Sequence, residues 1–204
     1  MFTGIIEATG KINSVEPNGS NKTFWIASSI SNELKVDQSV SHDGVCLTVE
    51  QVANDMHRVT AIEETLEKSA INHWKKNDTI NLERCMKMNG RLDGHIVQGH
   101  VDAVATCIDV EEKNGSWEYR FQIPAEFTHL IIEKGSVCLN GISLTAFDIK
   151  FNSFKVAIIP FTYEHTNISL VKKNSVVNIE FDIIGKYLAR FREVAFESPK
   201  HLLA

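Results

Sequence analysis

The sequence is poor in cysteine: Cys46, Cys85, Cys107 and Cys138 are scattered through 204 residues at no paired spacing. That argues against a disulfide framework and for a reducing, cytoplasmic setting. No apolar run approaches the ~20 residues of a membrane span. The opening Met-Phe-Thr-Gly-Ile-Ile-Glu has neither the basic start nor the long apolar run of a signal peptide. Positive charge is in deficit, with 21 Lys and Arg against 26 Asp and Glu, and no basic cluster. A nucleic-acid partner is disfavoured. A phosphate-binding glycine loop is missing too, because Gly90–Gly94 and Gly94–Gly99 lack the spacing and the following Lys-Ser/Thr pair. Nothing resembles the nucleophile elbow of a serine hydrolase. What is left, 43% hydrophobic and 23% charged, is the composition of a globular protein.

Against these absences stands one stretch, Gln38–Val49. Asp43-Gly44 is the dipeptide of a two-residue type I′ hairpin turn. Such a turn sets Ser41 opposite Cys46 and Ser39 opposite Thr48, on one face of the ribbon. Val40, Val45, Leu47 and Val49 take the other face. Ninety-seven residues later the pattern recurs around Asn140-Gly141, with Ser136, Cys138, Ser143 and Thr145 on the small polar face. The same spacing aligns Val59 with Val156, Asn81 with Asn178 and Glu83 with Glu180. A shift of two residues aligns Gly4 with Gly99 and Ala8 with Ala103. The chain is a tandem duplication of a unit of roughly 95 residues.

Each unit reads as short strands broken by Gly, Asn, Asp and Pro, an antiparallel barrel or sandwich. In the first, strands are expected over Gly4–Val15, Thr23–Ser28, the hairpin, His57–Ile62 and Thr79–Glu83. A brief helical pattern covers Thr65–Trp74, echoed at Thr162–Leu170. The second repeats the order over Val97–Val110, Trp117–Ile123, its hairpin, Phe154–Ile159 and Val176–Phe181. The boundary falls in the turn-rich Lys87–Gly94, so residues 1–94 and 95–185 form the two domains. Residues 186–204 form a C-terminal segment, whose Tyr187, Leu188, Phe191, Val194 and Ala195 recur at helical spacing over about Lys186–Phe196. That stripe serves self-association or packs back on its own barrel.

His95 and His100, with Asp93 and Asp102, are the densest titratable cluster. The spacing puts the two rings on opposite faces of the chain, which disfavours a shared metal. Each is either an ordinary surface or core histidine or, for His100 after Gly99, a general base. Cys46 is a buried small hydrophobe or a pocket residue. Its counterpart is Ser143, so the two polar faces are similar and not the same. Lys134 and Asp182 read as surface charges.

Met-Phe-Thr-Gly-Ile-Ile-Glu, Asp-Gly-Val-Cys-Leu-Thr-Val, Gly-His-Ile-Val-Gln-Gly-His-Val-Asp, Asn-Gly-Ile-Ser-Leu-Thr and Ile-Ile-Pro-Phe-Thr together resemble the alpha-type riboflavin synthase family, over essentially the whole chain. The resemblance implies an all-β fold of two six-stranded Greek-key barrels and a C-terminal helix joining three subunits. It implies two molecules of 6,7-dimethyl-8-ribityllumazine per site and transfer of a four-carbon unit between them, with no cofactor and no metal. The products would be riboflavin and 5-amino-6-ribitylamino-uracil. A lumazine synthase capsid is left open as a partner.

By motif, the first pocket would use Gly4, Ile5, Ile6, Cys46, Leu47, Thr48 and the loop Thr60, Ala61, Ile62, Glu63, Glu64, Thr65. The second would use Gly99, His100, Val101, Lys134, Ser143, Leu144, Thr145 and the loop Ile159, Pro160, Phe161, Thr162, Tyr163, Glu164. Catalysis is expected from His100 as proton-transfer residue, Cys46 and Ser39 toward the nucleophile, and Asp182 assisting. The alternative is a non-catalytic antenna protein. Lumazine proteins share the duplicated barrel but resemble degenerate synthases that have lost the cysteine and histidine, both kept here as Cys46 and His100.

Overall fold

A computed structural model describes residues 1–197. Both hairpins form as expected, since Asp43 and Gly44 take φ of 46° and 81°, and Asn140 and Gly141 take 44° and 80°. Positive φ at both central residues defines the type I′ turn, whose twist matches that of the flanking strands. The register follows: Ser39 faces Thr48 and Ser41 faces Cys46 in one hairpin, Ser136 faces Thr145 and Cys138 faces Ser143 in the other.

The first unit holds β1 (Ala8–Asn18), β2 (Asn21–Ser28), β3 (Ser39–His42), β4 (Val45–Thr48), β5 (Gln51–Ala53), β6 (Met56–Ala61), α1 (Glu63–Lys68) and β7 (Thr79–Arg84). The second holds β8 (Ala103–Lys113), β9 (Ser116–Gln122), β10 (Ser136–Leu139), β11 (Ile142–Lys150), β12 (Ser153–Ile158), α2 (Pro160–His165) and β13 (Val176–Phe181). The second closes as β10-β11-β12-β9-β8-β13. Three hairpin-linked strands, β10 to β12, have β13 returning beside the first of them, which is a Greek key. The first unit has the same order with seven strand segments, ending at β4 and β5. The strand that runs unbroken as β11 switches partners here at Val49 and Glu50. The Val49 N–H donates to the Gln38 carbonyl, and the Glu50 N–H to the Arg58 carbonyl on β6. Two residues of chain thus join the ends of the sheet.

Alternation along these strands fills two cores. Ile12, Phe24, Ile26, Val40, Val59 and Leu82 lie in the first, and Tyr119, Phe121, Val137, Phe154 and Phe181 in the second. Each full burial of such a side chain stabilises the fold by roughly 1.5–3 kcal/mol. Hydropathy passes over His42 and His57, which are fully buried in the first core. Their Nε2 atoms lie 2.9 Å apart, and Ser31 Oγ lies 2.9 Å from His57 Nδ1. Burial holds both imidazoles below the ordinary value, His57 at about 4.

Two expectations need correction. The opening strand of each unit starts at Ala8 and Ala103, not at Gly4 and Val97. Residues before those points leave their own barrel, as described below. The helix α3 spans Ile183–Glu197, beginning three residues earlier than its apolar spacing suggests. The Asp182 side chain accepts the Ile184 N–H at 3.0 Å and so caps its first turn. Ile184, Tyr187, Leu188, Phe191 and Val194 are exposed on it. The tail 198–204 of the expected C-terminal segment lies outside the described residues.

Buried amides fasten the barrels to each other. Asn81 Nδ2 donates to the Asn140 carbonyl and, symmetrically, Asn178 Nδ2 donates to the Asp43 carbonyl. Asp43 and Asn140 accept the backbone N–H groups of Asn81 and Asn178. The repeat match at these asparagines is therefore the barrel–barrel joint itself.

Candidate functional site

The start of each repeat is held by a glutamate from the last strand of that repeat. Glu83 Oε1 accepts the Thr3 N–H and hydroxyl, each at 2.7 Å, while Oε2 accepts the Gly4 N–H at 2.9 Å. Glu180 accepts the N–H groups of Gln98, Gly99 and His100 at 2.7, 2.8 and 2.9 Å. Burial pushes both carboxyls upward, and the converging N–H donors pull against that shift.

From these anchors each segment crosses to the other barrel. Phe2 and Val97 pair antiparallel on the seam. Beyond them the Gly4 carbonyl accepts the Ser143 N–H, and the Gly99 carbonyl accepts the Cys46 N–H, both at 2.8 Å. Only glycine serves at the crossings. Gly4 and Gly99 have φ of 77° and 81°, and an added Cβ would stand 2.6 Å from Ser143 Cβ or Cys46 Cβ. Ile6 then packs into the second core and Val101 into the first.

This exchange corrects the expected grouping of the pockets. Gly99, His100 and Val101 join Cys46 on the first barrel, and Gly4 joins Ser143 on the second. A cavity of about 410 Å³ on the first barrel is lined by Cys46, Glu64, Thr65, Gly99, His100 and Val101, among others. The repeat puts Ile159–Glu164 at the corresponding place near Ser143. The sequence periodicity matched residues within each repeat, and a crossing between repeats leaves no trace in it.

Within these groups the predicted residues divide by exposure. Leu47 and Ala61 are buried in the first core, so only their backbone is free to meet a ligand. Ile5, Ile62, Ile159 and Phe161 are exposed apolar side chains, and Ile5 lines a separate cavity beside Glu83 and Arg84. Thr60 Oγ1 lies 2.9 Å from Thr23 Oγ1. Tyr163 stacks on Trp117 with ring centroids 3.7 Å apart, which fixes α2 against β9. Glu63, Thr48, Thr145, Pro160 and Glu164 are exposed, and Ile6, Leu144 and Thr162 half-buried. Lys134 is exposed, with its Nζ over the Phe147 ring at 5.4 Å.

The expected catalytic residues are not all placed alike. His100 is exposed at the rim of the Cys46 cavity. Burial pushes the Cys46 thiol up, and a hydrogen bond from the Ser39 side chain offsets part of this. Cys46 is therefore a thiol near neutral pH. Asp182 has a structural task as the cap of α3. A pairing that sequence reasoning missed is His95, whose Nδ1 lies 2.7 Å from Ser143 Oγ. Spacing offered no signal for it, because the repeat match first resumes at Gly99. The repeat match of Glu83 with Glu180 marked the two carboxylates without indicating that they anchor the crossing segments. Among the described residues no three His, Cys, Asp or Glu side chains gather as a metal-ligand set.

Comparison with known proteins agrees with the duplication. The model of the lumazine binding domain matches twice, over residues 3–85 and 98–182. The riboflavin synthase of Actinobacillus pleuropneumoniae is 38% identical over 192 residues, covering 94% of this chain and 89% of its own. That of Bacillus subtilis is 37% identical over 199 residues, covering 97% and 93%. Among solved structures, LumP complexed with riboflavin superposes with a TM-score of 0.83 at 21% identity, over 89% of this chain and 99% of that one. LumP complexed with 6,7-dimethyl-8-(1'-D-ribityl) lumazine gives 0.81 at 20%. At such identity the LumP likeness speaks for the fold alone. Two matched domains and relatives aligned over nearly their full length give one conclusion: the chain belongs to the riboflavin synthase family of enzymes, built from two lumazine binding domains.

Proposed function

We propose that the protein makes riboflavin by dismutation, moving a four-carbon unit between two molecules of 6,7-dimethyl-8-ribityllumazine and releasing 5-amino-6-ribitylamino-uracil. The observation that carries this reading is the presence, in one chain, of two equivalent hairpin-and-glycine sites. A reaction between two copies of one substrate needs two similar pockets. Lumazine proteins share the duplicated barrel, so what favours turnover over mere binding is that Cys46 and His100 line one cavity here. Holding the two ring systems in register supplies much of the acceleration, since well-oriented pairs reach effective molarities of about 10⁵–10⁸ M.

The residues take the following roles. Backbone groups of Cys46–Thr48 with 60–65, and of Ser143–Thr145 with 159–164, hold the pyrimidinedione edges. Lys134 and the threonine hydroxyls reach the ribityl chains. His100, beside the Cys46 cavity, transfers a proton, for which general-base help contributes about 10²–10⁴-fold. Cys46, as a thiol with Ser39 behind it, holds the nucleophile that adds to C7 of the acceptor. Asp182 assists by its charge while it caps α3. The methyl on C7 of the lumazine is acidic because its anion delocalises into the ring, so a weak base in the right place suffices.

The exposed stripe on α3 supports self-association, and the family resemblance is what extends this to a cytoplasmic homotrimer in which the first barrel of one subunit faces the second barrel of a neighbour. No cofactor or metal enters the reaction. Association with a lumazine synthase capsid is a separate question, open to co-sedimentation. The LumP fold likeness favours one other reading, a pigment carrier. The two divide on one assay, in which the purified protein is mixed with 6,7-dimethyl-8-ribityllumazine and riboflavin absorbance is followed. One riboflavin for every two lumazines consumed supports the synthase. Binding with shifted emission and no riboflavin overturns it.

A further inference from the structure

In each repeat the segment that crosses between the barrels ends on an acidic side chain, and the repeat aligns Glu7 with Asp102. Their backbones are held alike. The Glu7 N–H donates to the Leu82 carbonyl and the Asp102 N–H to the Ile179 carbonyl, both at 3.0 Å. Their counter-ions differ. Glu7 meets Arg84 at the end of β7, with Nε at 2.6 Å, so the first repeat supplies its own cation. The residue that matches Arg84 is Phe181, which has no charge to offer. Lys186 of α3 takes the task instead. Its Nζ donates to both Asp102 carboxylate oxygens at 2.9 Å, and the Phe181 N–H adds a third bond to Oδ2 at 2.8 Å.

The Lys186 and Asp102 side chains are only 21% and 19% exposed. A pair so shielded from water is weakened little by salt, unlike one on the open surface. A lysine in the first turn of a helix opposes the helix dipole, so this placement does not serve α3 itself. Lys68 also lines the cavity beside Asp102, but it is exposed and bound to Glu64 at 2.7 Å. Lys186 acts on a second carboxylate as well. Burial pushes Glu180 upward, and the Gln98 N–H and the Lys186 ammonium oppose that shift. Glu180 holds the N–H groups of Gln98, Gly99 and His100, and Asp102 follows two residues later. One ammonium thus faces both carboxylates that fix this segment. The segment serves the first barrel, since Gly99, His100, Val101 and Asp102 line the Cys46 cavity. The helix α3 follows the second barrel.

Resting on the synthase reading above, we propose that Lys186 is a positioning residue for the first site, acting through Asp102 to hold His100 at the Cys46 cavity. The helix appended to the second barrel therefore secures the site of the first. Without the ammonium, the mostly buried Asp102 carboxylate keeps a single N–H donor and turns toward water to regain others. His100, two residues back, turns with it. A shift of about 1 Å is enough to cost about 10²-fold in rate. Because α3 carries both the exposed apolar stripe and this lysine, association and the first site share one element.

The test compares wild type, Lys186→Met, Lys186→Arg and Asp102→Asn by riboflavin formation, lumazine fluorescence titration and sedimentation velocity. Methionine keeps the apolar stem and removes the charge. Lys186→Met should sediment as the wild type does, because the exposed stripe is untouched. Its kcat should fall at least about tenfold, within the reach of a small misplacement. Lumazine affinity should fall about fivefold, the low end of coupling between distant sites. Lys186→Arg keeps the charge and should recover most of both. Asp102→Asn still accepts the Phe181 N–H and should show the same losses as Lys186→Met. The double variant should fall no further than either single one, because the pair acts as a unit. Wild-type kcat and affinity in Lys186→Met would overturn the inference alone. So would a loss that returns in full at high protein concentration, since the pair would then serve assembly only. A wild type that binds lumazine and forms no riboflavin overturns the synthase reading, and the titration then decides this inference by itself. A wild type that binds no lumazine overturns both.

Discussion

Asp43 carries the least symmetrical detail of the barrel joint. Its counterpart is Asn140, and both accept a backbone N–H from the facing asparagine. The carboxylate is buried, and burial raises it from 3.8 to about 7. The Asn81 N–H and the side chains of Asn167 and Trp74 pull it back down, while Asp78 pushes it further up. An acid raised in the folded state binds its proton more tightly than the unfolded chain does. The stability it contributes is fully present below about pH 4 and is lost as pH rises through about 7. His42 and His57 act in the opposite sense, their folded values being depressed, so they remove stability as pH falls below the ordinary histidine value. The difference between wild type and Asp43→Asn cancels that histidine contribution. Denaturant midpoints of the two proteins should converge near pH 4 and separate by pH 8, with the asparagine variant the more stable there. A constant separation across that range would mean that Asp43 does not titrate in the folded protein.

At the scale of elements, the crossing segments are the parts with the narrowest tolerance. Gly99→Ala would set a methyl group 2.6 Å from Cys46 Cβ and 2.8 Å from the Phe2 ring, at a φ that L side chains rarely adopt. We expect a loss of about 2–4 kcal/mol in chemical denaturation, the size of overpacking combined with backbone strain. Lumazine affinity should fall more than stability alone accounts for, because His100 and the Cys46 hairpin are displaced together. The hairpins themselves were legible in the sequence. Asp43-Gly44 and Asn140-Gly141 dictate turn type, turn type dictates register, and alternation then sorts Ser39, Cys46 and Thr48 from Val40 and Leu47. The crossings were not legible, since hydropathy reads Gly4–Val15 as one strand although Glu83 pulls its first residues off the barrel. Cys46, Ser143 and the glycines were therefore found as residues but assigned to the wrong neighbours. His95 escaped because a buried imidazole with one hydroxyl partner looks, in sequence, like any histidine beside a glycine.

For the whole molecule, the exposed residues of α3 make a surface that a lone subunit leaves wet. Phe191 is 70% exposed and Leu188 64%. Phe191→Glu would place charge in the middle of that stripe, and sedimentation velocity should then show a monomer at concentrations where the wild type associates. Because the proposed active site spans two subunits, riboflavin formation should fall with association and recover at high protein concentration. A variant that sediments as the wild type does would remove α3 from any interface. The exchange of Ile6 and Val101 between the two cores also sets an order of events during synthesis. When the first barrel has left the ribosome, its strands are complete but the Cys46 hairpin still lacks Gly99 and Val101, and Ile6 has no core to enter. That segment must wait, extended and tethered by Glu83, until residues beyond 140 have emerged. A nascent chain halted at the boundary should be captured readily by a protease or a chaperone through its first few residues, and one released at full length should not.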